Sequence, residues 1–241
     1  SDPTANVYKI KDFKLTMADT QLSGRLDLNL AGELPVYEVK LAGPRFNLKP
    51  FPIPKTAAYA NLNKIDDLGP LKIHSKVVVD GSRLSMPNLE MLAGSKKLAA
   101  LAVKGSIKNL AKQAGLNLNF NVQGNEVANL GKVTGQSIPL KGDFGLSGKL
   151  TDPAPKNYKL GDLELKLGQN NITGSIGLNV SGKQLRLATN IAAPKFTLQP
   201  VTLPAVKELA RIEDLGPLKL AFNLAGSGKK MALNNLDFHL G

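Results

Sequence analysis

The sequence holds no cysteine and no tryptophan among its 241 residues, and aromatic side chains make up 5 % of it. Without cysteine there is neither a disulfide framework nor a thiolate to act as ligand or nucleophile, and the compartment is left undecided on that ground. So few aromatics leave little for the bases of a single strand to stack on. Histidine is nearly absent as well. His74 and His239 stand alone, with no cysteine and no clustered carboxylates around them, which argues against a metal site. No apolar run approaches the roughly 20 residues that a spanning helix needs, and Ser1-Asp2-Pro3 does not open a signal peptide. The start without methionine, and an end at Leu240-Gly241 that coincides with a repeat boundary, lead to the expectation of a fragment or a processed chain.

Acidic residues are in the minority, 19 against 31 lysines and arginines, for a net charge of +12. The lysines are scattered from Lys9 to Lys230 with no run longer than two, the pattern of a solvated face rather than of a dedicated anion site. Nucleic acid is therefore not an expected partner.

What the sequence does contain is itself, twice. Tyr8 to Pro50 recurs as Tyr158 to Pro200 at a constant offset of 150 residues, with identities that include Tyr8/Tyr158, Asp12/Asp162, Gly24/Gly174, Leu28/Leu178, Pro44/Pro194 and Phe46/Phe196. After a three-residue indel the match resumes at an offset of 147, pairing Ile65-Asp66-Asp67-Leu68-Gly69-Pro70-Leu71-Lys72 with Ile212-Glu213-Asp214-Leu215-Gly216-Pro217-Leu218-Lys219, and runs on to Gly94 and Gly241. A partial third copy lies between them, where Pro139-Leu140-Lys141-x-x-Phe144 mirrors Pro217-Leu218-Lys219-x-x-Phe222. Units that each leave an apolar face unfinished stack on their neighbours. The expectation is one continuous β-repeat body over 1–241, with units of about 7–94, 95–150 and 157–241 and a joint at 151–156.

Each unit reads as several strands. Leu22 to Leu30 alternates strictly, with Leu22, Leu26, Leu28 and Leu30 on one face and Ser23, Arg25, Asp27 and Asn29 on the other. Leu116 to Gln123 is the cleanest case, every second residue apolar and every other one an amide. Further strands are expected near Val36 to Leu41, Leu71 to Val79, Leu84 to Leu92, Leu98 to Ile107, Ile138 to Leu150 and Leu185 to Ile191. Short helices are expected at Lys55 to Lys64, Glu126 to Lys132 and Ala205 to Ile212, with Pro54 and Pro204 as helix starts. Asp152-Pro153-Ala154-Pro155 reads as a linker.

Chemistry-bearing constellations are scarce. The acidic pairs Asp66-Asp67 and Glu213-Asp214 recur once per unit, which suits a turn better than a catalytic dyad. Gly226-Ser227-Gly228-Lys229-Lys230 resembles a phosphate loop, but Lys230 stands where a hydroxyl should ligate magnesium and Asn223 where the first glycine should be, so a hairpin turn is expected. No catalytic residue, metal or cofactor is expected.

An amphipathic sheet must cover its apolar face. Many leucines with few aromatics suit an aliphatic lining for acyl chains, which gain about 0.8 kcal/mol per buried methylene. The side chains expected to line it are Leu26, Leu28 and Leu30, then Leu116, Leu118, Phe120 and Val122, then Ile176, Leu178 and Val180. A β-sandwich or closed barrel shows the same alternation, and on periodicity alone it takes the larger share.

Asp12-Phe13-x-Leu15 with Leu22-Ser23-Gly24-x-Leu26-x-Leu28, and Asp162-Leu163-x-Leu165-x-Leu167-Gly168 with Gly174-x-Ile176-x-Leu178, resemble the repeat of the AsmA-like family of bacterial envelope proteins. Leu68-Gly69-Pro70-Leu71-Lys72 and Leu89-x-Met91-x-x-Gly94 are similar to that family's later strands, so the likeness covers nearly the whole chain. The resemblance implies a mainly β fold: an extended curved antiparallel sheet forming a taco-like groove, with a few short helices, in the periplasm behind an inner-membrane anchor that this sequence does not contain. It further implies a non-enzymatic part in moving phospholipid between inner and outer membranes and in outer-membrane assembly. The implied partners are phospholipid or another acyl lipid and envelope proteins. The alternative is a structural or assembly scaffold with a closed β core.

Overall fold

A period of two is what an extended chain needs when one of its sides is apolar and the other wet, and the stretches with that period form strands. The structure, a computed structural model, describes residues 6–17, 20–47, 65, 67–112, 114–182, 184–227 and 230–241. The strands are β1 (Val7–Met17), β2 (Thr20–Asn29), β3 (Val36–Gly43), β4 (Leu71–Asp80), β5 (Arg83–Ser95), β6 (Ala99–Asn109) and β7 (Ala114–Gly124). They continue with β8 (Phe144–Ala154), β9 (Asn157–Leu167), β10 (Asn170–Asn179), β11 (Leu185–Ala193), β12 (Leu218–Ser227) and β13 (Lys230–Leu240).

All of them lie in one sheet in chain order, each next to the strand before and after it. β1 and β13 have one neighbour each, so the sheet is open. The sandwich or closed barrel favoured by periodicity alone is therefore not formed, because a sandwich needs a second sheet and a barrel needs its first strand on its last. Alternation shows that one side is apolar; it does not say what covers it.

Two compact units divide the chain: Ser1–Leu118 with Asn129–Ser137, and Asn119–Ala128 with Ile138–Gly241. Within each, most of the buried apolar residues lie along one margin of the sheet. In the first unit Leu22 and Leu71 are buried apolar residues, near the start of β2 and at the start of β4. In the second, Phe144 and Leu218 open β8 and β12 while Leu167 and Ala193 close β9 and β11. In an up-and-down meander, those starts and ends fall on the same margin. The connecting segments pack there, tied by matching bonds in the two copies: Leu68 N–H to Phe46 O at 2.8 Å and Leu215 N–H to Phe196 O at 2.8 Å.

The recurrent acidic turn is structural at both described positions. Asp67 accepts the Gly69 N–H at 2.8 Å and Asp214 the Gly216 N–H at 2.9 Å, each carboxylate closing the turn ahead of Gly-Pro. Ser227 and Lys230 are cross-strand partners, so β12 and β13 pair as a hairpin, with Gly228 and Lys229 outside the described residues.

Several local expectations need correction. Ala205 to Ile212 is not one helix but two 3-10 segments, Pro204–Val206 and Leu209–Arg211, since a run of eight residues is too short to sustain an α-helix without a packed face. Glu126 to Lys132 resolves into a 3-10 segment, Val127–Leu130, followed by α1 (Gly131–Thr134). The strand expected from Ile138 begins only at Phe144. The joint expected at 151–156 is a hairpin: Thr151 to Ala154 belong to β8, Pro155 and Lys156 turn, and Ala154 faces Asn157. Pro153 is tolerated because the register skips between Thr151 and Ala154, where no ladder N–H is required of it. The helix expected at Lys55 to Lys64 lies outside the described residues.

Candidate functional site

Directly opposed residues of an antiparallel pair point to the same side of the sheet, so the register assigns each side chain to a face. In the first unit one face carries Ile10, Leu26, Val39, Ser75 and Leu89 in one row across β1 to β5. Beside it run Phe13, Gly24, Leu41, Ile73, Met91 and Val103, and on its other side Tyr8, Leu28, Tyr37 and Val77.

The opposite face is charged. Arg25, Lys40, His74, Glu90 and Lys104 form one row, and Lys9, Asp27, Glu38, Lys76 and Asn88 the next. Glu38 Oε1 holds both Lys40 Nζ and His74 Nε2 at 3.0 Å. Those two partners, Lys40 first, keep the Glu38 carboxyl below the ordinary glutamate range. Arg25 likewise holds Asp27 below the aspartate range through a hydrogen bond of 2.8 Å from Nε.

The second unit repeats the division. Its apolar face carries Leu150, Leu160, Ile176, Thr189 and Phe222 in one row. Tyr158, Leu178, Leu187, Leu224 and Leu233 form the next. The other face carries Ser147, Glu164, Thr173, Ala192, Lys219 and His239, then Lys159, Gly177, Ala188, Asn223 and Asn234.

Of the ten side chains singled out in the sequence, four fall on these rows, four lie on β7, and Leu30 and Val180 lie just past the ends of β2 and β10. Leu26 and Leu28 are half-buried in neighbouring rows of the first unit, and Leu30 follows β2 with 39 % exposure. Ile176 and Leu178 are half-buried in neighbouring rows of the second, and Val180 follows β10 with 36 % exposure. On β7, Leu116 and Leu118 are half-buried between exposed Asn117 and Asn119, and Phe120 and Val122 continue the alternation. Phe120 stands near enough to Gly148 that a Cβ there would lie 3.3 Å from its ring. None of the ten is fully buried. Among the described residues the most exposed large apolar ones lie on the two outer strands, Leu233 at 54 %, Leu236 at 58 % and Phe238 at 56 % on β13 and Ile10 at 54 % on β1.

The second unit also has depressions that the alternation does not reveal, two of them larger than the third. One, of about 550 Å³, lies mainly on the polar face between Lys159, Gly177, Ala188, Asn190, Asn223 and Asn235, where glycine and alanine leave room between longer side chains. The other, of about 870 Å³, lies where Lys141 meets the 199–211 segment. The signal for the second was Gly142, which takes the place of Ile73 and Leu220 in the other copies.

Among the described residues, no three of His, Asp and Glu come close enough to hold one metal ion, and no helix is long and apolar enough to cross a membrane. No family model matches the chain, and no curated protein or solved structure matches it.

Proposed function

We propose that the chain is a non-enzymatic, lipid-holding segment of the AsmA-like kind, which works in the periplasm by passing phospholipid between inner and outer membranes along the apolar face of its sheet. The observation that supports this reading is the row Tyr158, Leu178, Leu187, Leu224 and Leu233, with its neighbours, lying on a face that no second sheet among the described residues covers. Five strands at a spacing of about 4.8 Å make a strip roughly 19 Å across. Each acyl methylene laid on it gains at most about 0.8 kcal/mol, with no directional bond to break on moving to the next position. The charged face, with its ladder of Arg25, Lys40, His74, Glu90 and Lys104, is suited to water. A face that binds by area and not by geometry holds lipid without fixing it.

Native mass spectrometry tests this. The folded chain, loaded with mixed phospholipids, is expected to retain lipid, and Ile176→Asp with Leu178→Asp is expected to lose most of it, because a carboxylate on the strip must stay hydrated. A folded wild-type sample that retains no phospholipid under any loading condition contradicts the proposal.

A second reading, an assembly scaffold, has one observation in its favour. β13 has one strand neighbour and exposes Leu233, Leu236 and Phe238, an edge to which another strand could add. The closed core once attached to that reading does not accompany it.

A further inference from the structure

The three copies of Pro-Leu-Lys do not behave alike. After Pro70 and Pro217 the strands β4 and β12 begin at once, at Leu71 and Leu218. After Pro139 the chain stays off the sheet until Phe144. Gly142 sets the difference: at φ +98° it takes a conformation closed to the Ile73 or Leu220 of the other copies. Leu140 instead bridges to Val201, with Lys141 N–H on Pro200 O and Thr202 N–H on Pro139 O, both at 2.9 Å. This detour brings Lys141 into the lining of the 870 Å³ depression, together with Lys207 and Arg211 and with Val201, Leu203 and Pro204.

The charges around it are not balanced. No acidic residue lines the depression. Glu208, the nearest carboxylate in the chain to Lys207, is held by Arg211 at 2.7 Å. Glu126 is turned to the N–H groups of Gly142 at 3.0 Å and Ala128 at 3.3 Å. Neither Lys141 nor Lys207 forms an ion pair among the described residues. Two lysines that line one depression together with an apolar wall suit an anion placed between them. Its volume is that of a small-molecule site.

We propose that this depression binds a phosphate ester with an apolar tail, the lysines taking the phosphate and Val201, Leu203 and Pro204 the first carbons beyond it. The inference deepens the lipid reading and rests on it for the tail. The phosphate contact rests on Lys141 and Lys207 alone.

The test is an NMR titration of the full chain with three probes: inorganic phosphate, glycerol 3-phosphate, and dihexanoyl phosphatidic acid below its micelle concentration. Saturable shifts at the amides of Lys141, Thr202 and Lys207 are expected, with affinity rising in that order of probes. Lys141→Gln with Lys207→Gln is expected to weaken binding about tenfold, roughly threefold for each exposed contact, and to leave the circular dichroism unchanged. Retention of phospholipid on the strip, read by native mass spectrometry, is expected to survive that double change, so the two readings fail separately. Unsaturable shifts spread over all the lysines, or unchanged affinity in the double variant, overturn the site. Equal affinity for inorganic phosphate and the short-chain lipid overturns the apolar part of the ligand.

Discussion

Asn170 and Thr197, 27 residues apart, hold each other by two hydrogen bonds: Thr197 N–H donates to Asn170 Oδ1 at 2.8 Å, and Asn170 Nδ2 donates to Thr197 O at 2.9 Å. The first copy has the same clasp with the residues exchanged. Thr20 stands where Asn170 does and Asn47 where Thr197 does; Asn47 N–H donates to Thr20 Oγ1 at 3.1 Å and Thr20 Oγ1 to Asn47 O at 3.5 Å. All four residues are buried.

Because the clasp is buried, removing one partner leaves backbone groups dry and unpaired. Asn170→Ala is expected to cost about 2–4 kcal/mol, read as a fall in the urea midpoint. The exchanged pair, Asn170→Thr with Thr197→Asn, copies the first unit and is expected to recover most of that loss. If the double variant is as unstable as the sum of its single changes, the two clasps are not equivalent.

Asp162 sits at φ +49° inside β9, and Asp12 at φ +54° inside β1, where two residues of one strand face a single residue of the next. Opposite each bulge Gly174 and Gly24 approach the neighbouring strand so closely that a Cβ would come 2.1 Å from Asn190 O or Lys40 O. Asp162→Val is expected to destabilise by about 1–2 kcal/mol, since a β-branched residue resists the left-handed region, while Asp162→Gly changes stability by less than about 1 kcal/mol. Thermal unfolding of both variants checks this; equal loss in both would mean that the aspartate carboxylate, not its backbone, matters.

Glu38 gives the charged face a pH dependence. Its folded pKa is depressed, by Lys40 first and then His74, so its contribution is present above the unfolded value of about 4.3 and is lost as pH falls through the lower folded value. Glu38→Gln is expected to flatten stability against pH in that acid window. An unaltered acid slope in the variant would remove Glu38 from the account.

The duplication, most strands and the two-faced character of the sheet were legible in the residues, because a period of two is local and a 150-residue offset is plain in Gly24/Gly174 and Phe46/Phe196. What covers the apolar face was not, since Leu26 and Leu178 alternate identically in a sandwich and in an open sheet. The pairing of His74 with Glu38 depends on the register of β3 on β4, which no local pattern fixes. Pro153 misled because proline signals a linker unless a bulge frees it from the ladder. At Pro139 the repeat itself misled: Leu140 copies Leu71 and Leu218, yet Gly142 turns the chain away before a strand can start.

Site-specific photocrosslinking tests the central claim most directly. A benzophenone amino acid is placed at Leu178 on the apolar face or at Lys159 on the other, and the folded chain is irradiated with phospholipid vesicles. The account predicts lipid adducts from position 178 and few from position 159. Equal yields at both positions, or none at 178 from a folded sample, would contradict it.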